Sequence, residues 1–462
     1  MRSICKLFHV DNRQWRRETL ILLRAVEVEA LVRSMRIGLR LGVLMLLAAN
    51  VAAQSAHPIR GVPAAPGPWK QLAKLTESNG RAEDYAGWSV AISKDGGTVA
   101  VGAAGWCRYQ GVEGCGQGAV YVFVKPASGW ADMTETALLL ASDGQPGDYL
   151  GESVAISDDG STIVSGAPVW PADGSGSGAL YVFGRPKGGW KSETEGAILH
   201  ATDRGTNLGQ SVAMSGGTIV GGAEYFNGFQ GAAYVFVESK RGWTNMTQTA
   251  RLTPSDGKQG FMSDSVSISG DTVVAGTPET GLGGAGNGAY VFVKPKNGWK
   301  DKTENAKLTP SKGQNLGFGF AASVVGSTVA IGARVKGNGN GSIYVYEKPA
   351  HGWRRMTETA RLTVPLKSTF LGYSVSVDPS GAAIAGGAPG WQGQGAVDFF
   401  VKPQSGWRTT SKVRAQLAAT DGQSMDNLGF SVAASPGIII SGAPYATVGS
   451  DREQGAAYLF GH

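Results

Sequence analysis

Seven tryptophans, Trp69, Trp130, Trp190, Trp243, Trp299, Trp353 and Trp407, recur at intervals of 61, 60, 53, 56, 54 and 54 residues. A period of this length restricts a chain to one supersecondary unit stacked in a solenoid or arranged around an axis. Within each interval the segments keep one order: GWxxxTxTAxL, a polar loop, GxSVAIS, a tight turn, TIVxGAP, a Gly-rich loop, and GAxYVFVKPxxGW. The repeat also accounts for the length. A single core rarely grows past about 250–300 residues, whereas 462 residues are easily accommodated when each unit packs only on its neighbours.

The unit reads as four short strands. Segments such as Ser153 to Ser157 alternate small residues with Val154 and Ile156, so one strand face is small and the other bulky, and neighbouring units are expected to stack large against small. SDDGST, SGGT, SGDT and VGST between the first two strands supply the Gly and Asp that positive-φ hairpin turns require. KPxxGW joins the third strand to the fourth, with Pro fixing φ and Gly permitting the reversal. Four-stranded antiparallel units at this spacing predict an all-β propeller, whose radial closure leaves only short edges. Counting the SV segments from Ser89, Ser153, Ser211, Ser265, Ser323, Ser374 and Ser431 gives seven blades. The last unit stops at GAAYLFGH, one strand short, and the chain opens with an orphan fourth-strand segment from Trp69 to Leu75. The N-terminal strand is therefore expected to complete the last blade.

YLGESVAISDDGSTIVSGAP and its six relatives, each followed by a GALYVF-like strand, resemble the FG-GAP repeat of integrin α-subunit propellers and of many bacterial exported proteins. The resemblance covers residues 69–460. FG stands literally at Phe318 and Gly319 and in degenerate form at Leu150 and Gly151, Leu208 and Gly209, Leu371 and Gly372, and Leu428 and Gly429; GAP stands at 166–168, 387–389 and 442–444. The resemblance implies a seven-bladed fold and ligand binding at surfaces outside the cell, with no particular ligand. Integrin-type repeats often carry a DxDxDGxxD loop whose Asp side chains supply the oxygen ligands of Ca²⁺. The hairpins at Asp95, at Asp158 and Asp159, and at Asp271 are too short for it, so no metal site and no cofactor are expected.

From Met35, a basic start (Arg36, Arg40), an apolar run from Leu41 to Ala49 and small residues at Val51 and Ala53 form the pattern of a secretory signal peptide. The apolar run is shorter than the roughly 20 residues of a bilayer span, although an uncleaved signal anchor has the same pattern. The expected organisation is a mis-assigned start or non-structural extension over 1–34, a signal peptide over 35–53, a linker over 54–68 and the propeller over 69–462. Secretion, the periplasm or the cell surface is the expected location. Residues 1–53 hold nine Lys/Arg and four Asp/Glu, which leaves 33 basic and 32 acidic residues for the rest. Of the formal charge of +6, +5 thus belongs to the leader and +1 to the rest. The repeats carry no basic stripe of the kind nucleic acid requires. Cys107 and Cys115 lie in one loop, and a pair of cysteines in an exported chain reads as a disulfide, with two free thiols as the alternative.

In a propeller the loops joining strand two to strand three share one face with those joining strand four to the next blade, and loop-length variation falls there. Binding residues concentrate on such loops. Trp106, Tyr109, Trp170, Tyr225, Phe226, Phe229, Trp391 and Tyr445 follow the GA element in five of seven blades, an asymmetric aromatic crescent. Exposed rings can stack on sugar faces, hold cations or anchor a protein interface. An extracellular glycan or protein is therefore the expected partner of a non-catalytic binding or adhesion module. The alternative for each ring is that it caps a blade end. Asp143, Asp148, Asp203, Asn207, Asp421 and Asp426 read as turn-forming residues. His57, His200 and His351 fall in different contexts, which leaves no Ser/His/Asp arrangement. Glu152 and Asp264, in single blades, are the ionisable residues at the starts of the inner strands. A polysaccharide-cleaving enzyme, which needs a carboxylate pair, and a purely structural envelope component are the competing readings. N-terminal sequencing of the exported product is expected to return Gln54 first; a product beginning at Met1 overturns both the cleavage site and the Met35 start.

Overall fold

A computed structural model describes residues 69–108, 115–169, 176–257, 260–278, 288–311, 317–334, 340–366 and 369–462. The leader, the signal segment and the linker lie outside the described residues. Among the described residues, no helix is long and apolar enough to cross a membrane. The first blade shows the plan: Ala86–Ile92, Thr98–Ala103, Ala119–Val124 and Ala137–Leu140 pair antiparallel in sequence order. Seven sheets of this kind surround the axis, and each inner strand packs against the next, with Ser431–Ser435 returning to Ala86–Ile92.

Blades stack large against small, as the alternation requires. Tyr181 and Phe183 from the third strand of blade two pack with Ala91, Ala100, Val120 and Val122 of blade one. Tyr121 and Phe123 of blade one pack with Ile440 and Leu459 of blade seven. The third strands are buried on both faces, which is why they read as apolar runs, with Asp398 in blade six as the exception. Closer to the axis the fit is between backbones. A Cβ on the GA glycine of the second strand, such as Gly102, Gly166 or Gly442, would stand 1.8–2.1 Å from a carbonyl oxygen of the following blade. The inner-strand serine donates to the same oxygen: Ser89 to Gly151, Ser153 to Gly209 and Ser431 to Gly87, at 2.7–2.8 Å.

In blade five the register counted from Ser323 is displaced by two residues. Ala321 faces Gly332 where Ser89 faces Gly102, so Ser323 stands further along the strand and Ala321 supplies no hydroxyl to blade six. Ser323 instead accepts the N–H of Val377 at 3.0 Å.

The outer edges are covered by a device that four strands per blade do not include. The xT dipeptides of TxTAxL add a two-residue parallel strand to the preceding blade: Met133–Thr134 on Leu75 and Thr76, Glu193–Thr194 on Leu139 and Leu140, Met246–Thr247 on Leu199 and His200, and Lys302–Thr303 on Leu252 and Thr253. Beside them Glu135, Glu195, Glu304 and Glu358 each accept the backbone N–H and the hydroxyl of a serine in the preceding blade (Ser78, Ser142, Ser255, Ser311). Asp132, Ser192, Asn245 and Asp301 accept backbone N–H groups of the neighbouring outer strand. Unpaired edge donors are thereby satisfied and the edges closed to further pairing.

The ring closes through the N-terminus. Lys70–Thr76 lies antiparallel to Ala456–Gly461, from Lys70 opposite Gly461 to Leu75 opposite Ala457, with a bulge between Gln71 and Ala73. Ala73 and Leu75 are 1% exposed within the core. Deleting residues 69–76 uncovers one whole edge of the last blade and is expected to abolish the cooperative thermal transition. A truncated chain that melts like the parent overturns the closure.

Candidate functional site

The loop entering each inner strand has one geometry in all seven blades. It is a four-residue turn whose first carbonyl accepts the N–H of the fourth residue: Tyr85 to Trp88, Tyr149 to Glu152, Asn207 to Gln210, Phe261 to Asp264, Gly317 to Phe320, Phe370 to Tyr373 and Asn427 to Phe430, at 3.0–3.3 Å. The first residue has positive φ in every turn, including four aromatic ones: Tyr85, Tyr149, Phe261 and Phe370 (54–60°). Bulky side chains rarely adopt that conformation. Here it is held by the blade before, whose strand-three loop accepts the first residue's N–H, as Gly116 does from Tyr149 and Phe229 from Phe261. The third residue is Gly in six turns, at φ 87–104°, where a Cβ would come within 2.4–2.8 Å of the preceding blade. Ser263 replaces it in blade four at φ 71°, with its hydroxyl donating to the carbonyls of Ala232 and Met262.

The fourth residues of the seven turns immediately precede the inner-strand serines, or Ala321 in blade five, around the axial end of the upper face. They form two unlike arcs. Phe320, Tyr373, Phe430 and Trp88 make a chain of half-buried rings, with successive centroids 5.1, 4.9 and 4.7 Å apart. The guanidinium of Arg334 lies 3.6 Å over Phe320 and 5.2 Å over Tyr373. Between the ends of that arc come Glu152, Gln210 and Asp264, with Gln210 Nε2 donating to Glu152 Oε1 at 3.2 Å. None of the four aromatic members was singled out from sequence. The signal was present as the residue after each FG-type glycine, but it is spread one residue per blade.

The residues expected from sequence fall into separate groups. Tyr109 and Trp170 lie outside the described residues. Trp106 is 6% exposed and packs into the core shared by blades one and seven. Phe226 is half-buried, edge-on to Tyr234 and under Arg251. Trp391 is half-buried against the core of blades five and six. Tyr225, 37% exposed, forms a cluster with Phe229 and Phe261. Tyr445 lies 5.6 Å from Tyr85 and 6.1 Å from Phe430, which joins it to the axial arc. Cys107 and Cys115 form the expected disulfide, with Cα atoms 5.4 Å apart.

Carboxylates off the axis serve the turns. Asp148 and Asp426 each accept a backbone N–H three residues earlier, from Gln145 and Gln423. Asp143 and Asp203 accept the hydroxyls of the buried Tyr181 and Tyr234, and Asp421 pairs with Lys74. Asn207 opens the turn of blade three. In the lower hairpins Asp95 and Asp159 accept from flanking hydroxyls and backbone N–H groups, which lowers both carboxyls, Asp159 to about 2. In blade six Asp398 replaces the tyrosine; burial pushes it up to about 6, against the hydrogen bond from Gln416.

Four segments, residues 69–123, 133–183, 246–292 and 412–460, match the FG-GAP repeat. The chain carries FG-GAP repeats. In this FG-GAP propeller the named glycines are the two backbone contacts already described, the FG glycine against the blade before and the GA glycine against the blade after. No curated protein matches the chain. Among solved structures, the fold is similar to the Dos1 propeller (11% identity, TM-score 0.49, covering 85% of this chain and 95% of that one). It is also similar to the hydrazine synthase of Kuenenia stuttgartiensis (14% identity, TM-score 0.46, covering 79% and 94%).

Two carboxyls of the FG-GAP propeller sit together beneath the turn at Tyr85. Burial, then the charges of Asp84 and Glu135, push Glu77 well above the ordinary carboxylate range. Burial pushes Asp84 up to about 6. A carboxyl raised in the folded state favours folding while protonated, and that contribution is lost as pH rises through its folded value. The lowered Asp95 and Asp159 act oppositely only below the unfolded value of about 4. His200, lowered by burial, opposes the raised carboxyls Glu77, Asp84 and Asp398 within the window without outweighing them. The melting temperature is therefore expected to rise on acidification from pH 7 to pH 5, by on the order of 2 °C. The double variant Asp84→Asn, Asp398→Asn should flatten that rise, and an unchanged profile in the variant refutes the assignment.

Proposed function

We propose that this chain is a non-catalytic binding module, exported to the secreted, periplasmic or cell-surface space, which recognises an extracellular glycan or protein through the upper face of its propeller. The observation that carries this reading is the distribution of aromatic side chains. On the upper face rings remain half-buried or exposed on backbone turns that are tied to two blades at once. On the lower face the Trp190, Trp299, Trp353 and Trp407 rings are buried at 5–8% exposure, and the half-buried Trp130 and Trp243 pack against the blade cores. Trp130 and Trp190 donate their indole N–H groups to the hairpin carbonyls of Gly96 and Gly160. Rings held in place without being covered supply contact area at little cost in ordering, which is the composition binding hot spots favour. The disulfide in an upper loop and the signal-like segment from Met35 to Ala53 support export.

An enzyme that cleaves glycosides needs two carboxyls with different protonation states. Glu77 and Asp84 are a close carboxyl pair, yet both shifts go upward and both groups are buried in a turn, so they do not divide acid from base. Asp421 and Asp426 do shift in opposite directions, Asp426 up through burial and Asp421 down because its burial is outweighed by Lys74. Asp421 is held in that ion pair, however, and Asp426 by the backbone N–H of Gln423, so binding is the better reading.

The test compares the two faces. Fluorescently tagged full chain is applied to intact cells and to extracellular polysaccharide. The upper-face variant Tyr225→Ala, Tyr445→Ala is expected to lose at least about five-fold in retained protein with its melting temperature within a few degrees of the parent, while the lower-face variant Lys187→Ala, Lys296→Ala binds as the parent does. Equal losses on both faces, or no retention of the parent, refute the proposal.

A further inference from the structure

We infer that the axial mouth of the propeller is a saccharide site, in which a sugar ring stacks on Tyr373, Phe430 and Trp88, beside the Arg334–Phe320 stack, and turns its hydroxyls toward Glu152, Gln210 and Asp264. This rests on the binding reading above and names the ligand class and the place.

The argument begins with the two arcs. A pyranose presents C–H groups on a face and hydroxyls around its rim, so it needs an aromatic platform beside a set of acceptors and donors. The mouth supplies both within one ring of seven equivalent positions: four half-buried aromatic rings in succession, then two carboxylates and an amide linked by the Gln210–Glu152 hydrogen bond. Carboxylate and amide groups accept and donate in the plane of neighbouring hydroxyls. Other ligand classes match less well. An anion, such as a phosphate, meets Glu152 and Asp264. A cation meets Arg334, whose guanidinium already lies 3.6 Å over the face of Phe320 and uses the attraction of that ring for positive charge. A purely apolar protein surface leaves the polar arc without matching groups, which costs free energy when water is excluded. A neutral polyhydroxylated ring uses both the uncovered aromatic rings and the polar arc.

The positions are also preorganised. Each of the seven side chains follows a turn closed by its own hydrogen bond and docked on the preceding blade, so little backbone freedom is lost on binding. The ring departs from seven-fold symmetry only in its side chains. Evolution of the scaffold does not demand aromatic residues here, because blades two, three and four close equally well around Glu152, Gln210 and Asp264.

The test applies the full chain to an immobilised panel of oligosaccharides spanning neutral hexoses, N-acetylhexosamines and uronic acids, with a trimethyllysine peptide as the cation control. Retention of at least one saccharide is expected, with no retention of the peptide. Affinity for the retained sugar, followed by calorimetry, should fall about ten-fold or more in Tyr373→Ala. The isosteric Glu152→Gln, Asp264→Asn variant keeps the packing and changes the acceptors; it should weaken binding by a similar factor at an unchanged melting temperature. The lower-face variant Lys187→Ala, Lys296→Ala should bind the sugar as the parent does. Absence of any retained saccharide, sugar binding unaffected by the Tyr373 and carboxylate variants, or preferential capture of the peptide overturns the inference. Cell retention that is lost in the upper-face variant while no saccharide is held overturns this inference alone. Absence of cell retention in the parent overturns the binding reading on which it rests.

Discussion

Adjacent blades approach so closely near the axis that the contact has no room for a side chain: the GA glycine of one blade lies against a carbonyl oxygen of the next, and the inner-strand serine donates to that oxygen. Most other features follow from this spacing. It brings the bulky face of each third strand onto the small face of its neighbour and buries Tyr121, Phe123 and their equivalents. It also forces the chain to enter the inner strand through a tight turn, with glycine at positive φ where the preceding blade is nearest. That turn in turn fixes which residue of each blade reaches the axial mouth.

The periphery solves a different problem. Away from the axis the blades diverge, and each outer strand would expose a row of backbone donors. Two-residue parallel strands and the Glu135-type carboxylates from the following blade cover that row, and the Lys70–Thr76 strand closes the last blade. The scaffold is therefore tied both at the axis and at the rim. Side chains on the upper turns are left to vary without altering either set of ties, and Ser263, in place of glycine, keeps the contact with the preceding blade through its hydroxyl.

Much of this was legible in the chain because each element is repeated. The strands, the hairpin glycines, the disulfide and the N-terminal closure all follow from local residue types or from counting. The fifth blade was misread at Ser323 because FAASVV contains an SV pair two residues beyond the true register, and only the pairing of Ala321 with Gly332 distinguishes them. The candidate site was legible in part. Sequence points to aromatics after the GA element, but Trp106 is drawn into the core, since a ring beside a close backbone contact gains more from packing than from exposure.

By itself, the sequence determined the unit, its number and its order, because glycine and β-branched or aromatic periodicity are local consequences of turn and strand geometry. The tertiary structure decided which residues meet. Trp88 and Phe430 are 342 positions apart in the chain, yet their rings lie 4.7 Å apart because closure makes the first and seventh blades neighbours. No periodicity within the repeat states that Phe320, Tyr373, Phe430 and Trp88 form one arc opposite Glu152, Gln210 and Asp264. That arrangement arises from the angle between blades, which is set by the packing of all seven.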